Sequence, residues 1–351
     1  MTQQNMNVPA GETIEADGYE KVAAWRDPVT GYRGIVAIHS TKLGPAVGGT
    51  RFRAYPSDEE ALTDVLRLAR GMTYKNAAAG LPLGGGKAVI IGDARLLDRA
   101  AWFRAHGRFV ESFQGRFITG EDVGTSPADM EIAAQETRFV AGFAGRGGDP
   151  SPWTARGVLR GIQASARQRW GRDDLHGRTV ALQGCGNVGS ALALLLKKAG
   201  ARLIVTDVDA ARAAACARDC DAAAVAPEEI YDVAADVFAP CALGGILNEQ
   251  TIPRLQAEII AGAANNQLRA ETDAQALEAR GILYAPDFIL NAGGVISGGA
   301  YLLGESSDRL AQRVAGIYDT LLAVYDLAAR EKTTTAAAAD AYAEQCLRGA
   351  R

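Results

Sequence analysis

The feature that most constrains this chain is a run of six residues, Gly184-Cys185-Gly186-Asn187-Val188-Gly189, spaced G-x-G-x-x-G. Forty glycines make chance matches to that spacing easy, so its surroundings decide its weight. Residues 179–183 (TVALQ), just ahead of it, read as a short buried strand, and residues 188–199 behind it read as a helix. Residues 203–206 read as the next strand, and Asp207 closes it. Each part has a physical task. Gly184 permits a tight turn, Gly186 lets a pyrophosphate approach the backbone, and Gly189 lets helix and strand pack closely. The first helical residues, Asn187 and Val188, offer N–H donors to phosphate oxygens. Asp207 can accept hydrogen bonds from ribose hydroxyls, and its charge repels a 2′-phosphate, which favours NAD over NADP.

Further short apolar strands at residues 237–239, 259–261 and 282–284 alternate with helical stretches. Such alternation predicts an α/β fold whose second domain is a Rossmann-type, doubly wound parallel sheet. One long helix is expected over residues 307–330, with Leu310, Val314, Ile317 and Leu321 on its buried side, and another over residues 336–343. Upstream, residues 34–39 (GIVAIH) read as a buried strand, and residues 88–91 as another directly after Gly84-Gly85-Gly86. Ser57 and Glu60 form a capping-box pattern that opens a helix with Leu62, Val65, Leu66 and Ala69 on one face. At about 150 residues per domain, 351 residues suggest two. Residues 145–152 (GRGGDPSP) read as a hinge. The expectation is a substrate, catalytic and oligomerisation domain over residues 1–145 and an NAD-binding domain over residues 146–330, separated by a cleft. Residues 331–351 would pack back on the first domain, and residues 1–10 read as a loose tail.

Composition excludes several classes. With 48% hydrophobic residues the chain can bury a large core, while a net charge of −4 argues against a general affinity for nucleic acid. The longest apolar runs, such as residues 191–196, fall short of the ~20 residues that cross a bilayer. The first ten residues lack the apolar core of a secretory signal. Five cysteines at irregular spacings make no disulfide framework, and with only three histidines a zinc site is not expected. The plain expectation is a soluble cytoplasmic protein without metal whose partners are small molecules.

His39 at a strand end, His106 in a helix and His176 near a loop all read as surface or internally satisfied histidines. The lysines say more. Lys75 follows a helix, and Lys87 closes a Gly-Gly-Gly-Lys loop ahead of a strand. One ammonium can pair with a substrate carboxylate. A second amine, held out of water beside a positive charge, gives up its proton more readily and can serve as a base. Asp122, in the glycine-flanked segment Thr119-Gly120-Glu121-Asp122-Val123-Gly124, adds a carboxylate. Spacing alone leaves these three open to a bland reading as well, since exposed lysines and loop aspartates are common.

Eight separate blocks then occur in order: residues 43–51 (LGPAVGGTR), 71–77 (GMTYKNA), 84–91 (GGGKAVII), 120–124 (GEDVG), 184–189, 239–245 (APCALGG), 261–268 (AGAANNQL) and 284–295 (YAPDFILNAGGV). In them the chain resembles the leucine, valine, phenylalanine and tryptophan dehydrogenases, relatives of glutamate dehydrogenase, from about residue 18 to residue 345. The resemblance implies reversible, NAD-dependent oxidative deamination of a neutral apolar L-amino acid to its 2-oxo acid and ammonium. It implies that Lys75 holds the substrate carboxylate and that Lys87 is the base activating the water that attacks the iminium. Asp122 would carry protons to and from the substrate nitrogen. Asn265 or Asn266 would orient substrate and nicotinamide, Thr154 and Ala239 would touch the cofactor, and the Gly48-Gly49 backbone would lie beside the substrate. Leu43, Gly120, Val295 and Gly298 would line the side-chain pocket. Leucine-type enzymes usually carry alanine where this chain has Gly120, whereas phenylalanine and tryptophan types carry glycine. Val295 matches the leucine pattern, and Gly298 replaces a valine expected there. Branched aliphatic and aromatic substrates therefore both stay open. A different class is a catalytically silent NAD-binding regulatory protein on the same fold, against which the joint presence of Lys75, Lys87 and Asp122 argues. Family members are oligomers, and the larger assemblies use a C-terminal extension not seen here, so a homodimer is expected.

Overall fold

Alternation along two strands organises the first half of the chain. In the computed structural model, which describes residues 11–93 and 98–349, β3 (Arg33–Ser40) pairs antiparallel with β6 (Gly84–Ile91). Successive side chains of a strand point to opposite faces. Ile35, Ala37, Val89 and Ile91 accordingly pack with Ala61, Val65 and Ala69 of α1 (Asp58–Ala78). Val36, Ile38, Ala88 and Ile90 pack on the other face with Trp102, Phe103 and Phe109 of α2 (Arg99–Glu111) and Met130 of α3 (Pro127–Ala133). Around this pair, β1 (Glu12–Thr13), β2 (Lys21–Arg26), β4 (Ala46–Val47) and β7 (Phe117–Ile118) complete the order β1-β2-β3-β6-β4-β7, and β5 (Thr50–Arg53) also pairs with β6. The loose tail expected over residues 1–10 lies outside the described residues.

Ser57 caps α1 by accepting the Glu60 N–H at 3.2 Å. A box closed in both directions forms at Ser126 and Asp129, where the sequence reading had placed none. Two expectations about the first half of the chain need correction. The triple glycine is no loop, because Gly84, Gly85 and Gly86 are buried residues of β6 itself. Their lack of a side chain serves close packing: a Cβ on Gly85 would fall on the Thr73 backbone nitrogen, and one on Gly86 would lie 2.9 Å from the Phe117 ring. Lys75 does not follow a helix either. It lies in the last turn of α1, which meets no breaker before Gly80, where φ is +64°.

The contacts divide the chain between Asp149 and Pro150, with Tyr301–Leu303 and the described residues from Cys346 belonging to the first unit. The second unit begins with α4 (Ser151–Trp170), followed by β8 (Thr179–Gln183), α5 (Asn187–Lys198), β9 (Arg202–Thr206), α6 (Ala210–Cys220) and β10 (Ala223–Ala224). Then come β11 (Val237–Pro240), β12 (Ile259–Ile260), α7 (Thr272–Ala279), β13 (Leu283–Tyr284), α8 (Asp287–Leu290) and α9 (Gly293–Leu302). The six strands pair in parallel in the order β10-β9-β8-β11-β12-β13. That is the doubly wound topology, and its strand order reverses between β8 and β11, where such sheets bind ligands at their carboxyl ends. Residues 307–330 are not one helix. α10 (Ser307–Ala315) and α11 (Ile317–Glu331) meet at Gly316, whose N–H is shared between the carbonyls of Gln312 and Arg313. Glycine is the weakest helix former apart from proline, and the break falls on it. α12 (Thr335–Gly349) covers the expected alanine-rich helix.

Candidate active site

In the first unit, Lys87 occupies the middle of β6 with only 5% of its surface exposed. Its Nζ lies 3.2 Å from Asp122 Oδ1. Arg51, from β5, donates through Nε to the other oxygen, Asp122 Oδ2, at 3.2 Å. The guanidinium is held in turn by both oxygens of Asp64 on α1, at 2.9 and 3.2 Å, and Tyr55 Oη donates to the same carboxylate at 2.8 Å. Burial pushes the Asp122 carboxyl up, but the charges of Lys87 and Arg51 outweigh it and hold the group below the usual carboxylate range. The turn that carries Asp122 is stapled locally. Its N–H donates to Thr125 Oγ1 at 2.8 Å, and that hydroxyl reaches the carbonyl of Thr50 at 3.1 Å.

Gly48 and Gly49 run between β6 and this turn. A Cβ on Gly48 would collide with the Gly86 carbonyl, and one on Gly49 would lie 2.9 Å from Asp122 Cβ. The pair is therefore what lets the strand of Lys87 and the segment of Asp122 come together. Lys75 is half-buried in the turn of α1 that also sends Asn76 Nδ2 to the Gly84 carbonyl at 2.6 Å. Leu43 is half-buried between β3 and β4, and a methyl on half-buried Gly120 would lie 3.3 Å from the Ala141 carbonyl oxygen.

Beneath these segments runs a wholly buried polar chain. His106 Nδ1 meets Tyr32 Oη at 2.8 Å, its Nε2 meets Thr50 Oγ1 at 2.7 Å, and Thr50 Oγ1 meets Thr119 Oγ1 at 2.6 Å. Burial lowers the His106 pKa to about 3, so the ring is neutral and acts as an internal strut. His39 is likewise engaged, through Nδ1 and Thr73 Oγ1 at 2.9 Å.

In the second unit, the glycine run forms the turn from β8 into α5. Gly184 has φ +100°, and a Cβ on Gly189 would strike the Gly184 carbonyl. No described atom lies within 4 Å of where a Gly186 Cβ would be. No side chain caps the N-terminus of α5, so the amides around Asn187, Val188 and Gly189 could receive an anion. Asp207 directly follows β9; its Oδ2 accepts the Cys185 N–H at 2.7 Å and its Oδ1 the Asp209 N–H at 2.8 Å. These features fit a dinucleotide: open space before Gly186, uncapped donors, and an oriented carboxylate. Two apolar residues at this end of the sheet escaped the sequence reading. Val208 is 91% exposed and Leu243 is 75% exposed.

Thr154, in the first turn of α4, stands against the start of α9, where a Gly294 Cβ would lie 2.9 Å from its Oγ1. Val295 and Gly298 are half-buried one helical turn apart on α9. No described atom lies within 4 Å of a Gly298 Cβ position. Asn265 and Asn266 are exposed, Asn266 with φ +52°, and Asn265 Oδ1 accepts from Asn291 Nδ2 at 2.7 Å. Ala239 needs a correction. It is fully buried in β11, paired with Leu182, so it has no surface to offer a cofactor; exposed Ala242 and Leu243 lie beyond the strand end. Arg51 and Asn291 were also missed as contributors, although both lie inside the sequence blocks that carry the resemblance.

Known proteins resemble this chain over most of its length. Residues 20–139 match the family model described as Glu/Leu/Phe/Val dehydrogenase, dimerisation domain, and residues 206–343 match that of glutamate/leucine/phenylalanine/valine dehydrogenase. The chain is 51% identical over 335 residues to leucine dehydrogenase of Geobacillus stearothermophilus, covering 95% of this chain and 91% of that one. It is 46% identical over 337 residues to phenylalanine dehydrogenase of Caldalkalibacillus thermarum, covering 94% and 91%. The crystal structure of L-tryptophan dehydrogenase from Nostoc punctiforme superposes with a TM-score of 0.85 at 47% identity, covering 95% of this chain and 96% of that chain. The protein belongs to the glutamate/leucine/phenylalanine/valine dehydrogenase family and is an amino-acid dehydrogenase, an oxidoreductase that works with a nicotinamide cofactor.

Proposed function

We infer that the chain oxidatively deaminates neutral apolar L-amino acids, leucine and phenylalanine among them, to 2-oxo acids and ammonium with NAD. The observation that carries this reading is the contact of Lys87 Nζ with Asp122 Oδ1 at 3.2 Å, with Arg51 on the second carboxylate oxygen. A paired amine and carboxylate can move two protons, one at the substrate nitrogen and one on water. NAD supplies the hydride acceptor when bound. Lys75 pairs with the substrate carboxylate, and Asp122 takes a proton from the substrate nitrogen. Lys87, in its uncharged amine form, takes the proton of the water that adds to the iminium carbon, and the same residues run the reverse reaction.

NAD over NADP follows from Asp207, whose carboxylate is already held beside the glycine turn, where a 2′-phosphate would meet a like charge. Val208 and Leu243 offer apolar surface suited to the adenine ring. Acceptance of both branched and aromatic side chains follows from the side-chain volume missing at Gly120 and at Gly298, and the open space at Gly298 favours aromatic substrates as a second reading. A second copy of the chain is the expected partner, through the region whose family model is described as a dimerisation domain. The test is NADH formation across a panel of L-amino acids, repeated with NADP. Activity confined to glutamate, or equal efficiency with NADP, would overturn this reading.

A further inference from the structure

Two cations of different kinds hold Asp122. Lys87 Nζ stands 3.2 Å from its Oδ1, and Arg51 Nε donates to its Oδ2 at 3.2 Å. An ammonium that gives up its proton gives up its charge with it, whereas a guanidinium in a protein stays charged. The base inferred above is Lys87 as an uncharged amine. In that form it offers the carboxylate no counter-charge. Burial pushes the Asp122 carboxyl up, and the charges of Lys87 and Arg51 together reverse that push. Once Lys87 is uncharged, Arg51 is the cation left to oppose burial.

Arg51 is fastened for that task. Its side chain is 16% exposed, so water and salt screen its charge poorly. Nη1 donates to both oxygens of Asp64 on α1, at 2.9 and 3.2 Å. A planar guanidinium anchored by one nitrogen has little freedom to turn the others. Asp64 is itself held, since Tyr55 Oη donates to it at 2.8 Å and Arg67 Nη2 lies 3.4 Å away. The acidic neighbour of Asp122 in the chain is Glu121, which burial and then the charges of Asp149, Asp122 and Asp129 push up. Strand, helix and turn thus meet on one guanidinium.

We propose that Arg51 is a positioning residue: anchored by Asp64, it keeps Asp122 ionised and fixed beside Lys87 whether or not Lys87 carries its proton. Without it, an uncharged Lys87 would leave a buried carboxylate alone. That carboxylate would then take up a proton from elsewhere and could not accept the one on the substrate nitrogen. The proposal rests on the reading above that Lys87 and Asp122 move the protons of the reaction.

The experiment uses the full chain, labelled with carbon-13 at the aspartate side-chain carboxyls so that Glu121 does not intrude. The Asp122 resonance is identified by its loss in Asp122→Asn and followed against pH by NMR. In Lys87→Ala, which lacks the amine altogether, Asp122 should still titrate no higher than an ordinary aspartate. Adding Arg51→Met should raise its midpoint by about one unit or more, the scale set by a neighbouring arginine. Adding Arg51→Lys instead should restore it, because the charge is kept. Asp64→Asn removes a negative charge beyond Arg51 but keeps an acceptor, so it should move the midpoint down. Arg51→Met leaves Asp64 its contacts with Tyr55 and Arg67, and thermal melts accompany each variant. If Arg51→Met does not fold, the Asp64→Asn and Arg51→Lys titrations decide. Initial rates on leucine should show kcat lowered by at least ~10-fold in Arg51→Met, as a misplaced proton acceptor requires. The proposal is overturned if Arg51→Met leaves the midpoint in place, if Lys87→Ala alone carries it above the ordinary range, or if Asp64→Asn moves it up. Near-normal turnover in both Lys87→Ala and Asp122→Asn would overturn the functional reading alone, because the carboxyl titration does not depend on activity.

Discussion

Asp207 accepts the backbone N–H of Cys185 at 2.7 Å, so the carboxylate proposed to read the ribose also ties down the glycine turn. The two roles should separate on mutation. Asp207→Asn keeps an acceptor oxygen but removes the charge. It should cut the preference for NAD over NADP by at least roughly tenfold, about 1.4 kcal/mol, with the fold intact. Asp207→Ala should lose affinity for both cofactors, because the turn loses its tie as well. Efficiencies measured with NAD and NADP on the three proteins decide this, and an unchanged NAD/NADP ratio in Asp207→Asn would remove Asp207 from the ribose.

Lys87→Ala should lower turnover by at least ~100-fold, the usual scale for losing an acid–base group. NADH binding, measured by fluorescence titration, should survive, since the fingerprint residues lie in the other unit. Near-normal turnover in this variant would show that the Lys87–Asp122 pair is only structural.

Substrate size should follow Gly120. A methyl there lies 3.3 Å from the Ala141 carbonyl oxygen, tight enough to be felt but able to fit after a small shift. Gly120→Ala should move the leucine-to-phenylalanine ratio of kcat/KM toward leucine by ~10-fold or more, since a methylene-sized change is worth ~1–3 kcal/mol. A ratio unchanged, or moved toward phenylalanine, takes Gly120 out of the side-chain pocket.

Acid stability should report His106. Its folded pKa is lowered to about 3 by burial, so between pH 6.5 and about 3 the unfolded chain binds a proton that the folded chain refuses. Stability from this source is whole above pH 6.5 and falls as pH drops, by up to ~1.4 kcal/mol per unit. Urea unfolding across this range should show a shallower fall for His106→Gln than for the wild type. Parallel curves would mean that the ring is not held neutral by burial.

Two glycines should respond oppositely to alanine. At Gly85 the new methyl would overlap the Thr73 backbone nitrogen, so destabilisation above ~2 kcal/mol is expected, as for an overpacked core. At Gly71, exposed within α1 and with no described atom within 4 Å, stabilisation by ~0.5–1 kcal/mol is expected. Equal effects at the two sites in urea denaturation would contradict the packing described for β6.

That contrast also shows where sequence reading stops. The fingerprint made β8, α5 and β9 legible because turn, periodicity and the closing Asp207 all agreed. The parallel alternation followed from the same signals. Gly84-Gly85-Gly86 carried no such agreement. Glycine marks a flexible loop and a crowded strand equally well, and only the position of Thr73 on α1 distinguishes them. The break at Gly316 was hidden because the apolar period runs through it from Val314 to Ile317. Lys87 and Asp122 were singled out, but Arg51, which holds the far oxygen of Asp122, had no local signal beyond its place in a block. Asn291 was silent for a similar reason, since the worth of an amide depends on which of its ends is engaged.

The pairing of β6 has a consequence for motion. Every residue of that strand is buried, and its neighbours β3, β4 and β5 are bonded along it. Amides in such a strand exchange with solvent only in the rarest, most global openings. Lys87 therefore rides on a strand expected to open only with the unfolding of its sheet. Its amide protons should be among the last to appear in deuterium, while those of residues 120–125 exchange early. As the proposed base, Lys87 would be the fixed point of the site in the first unit.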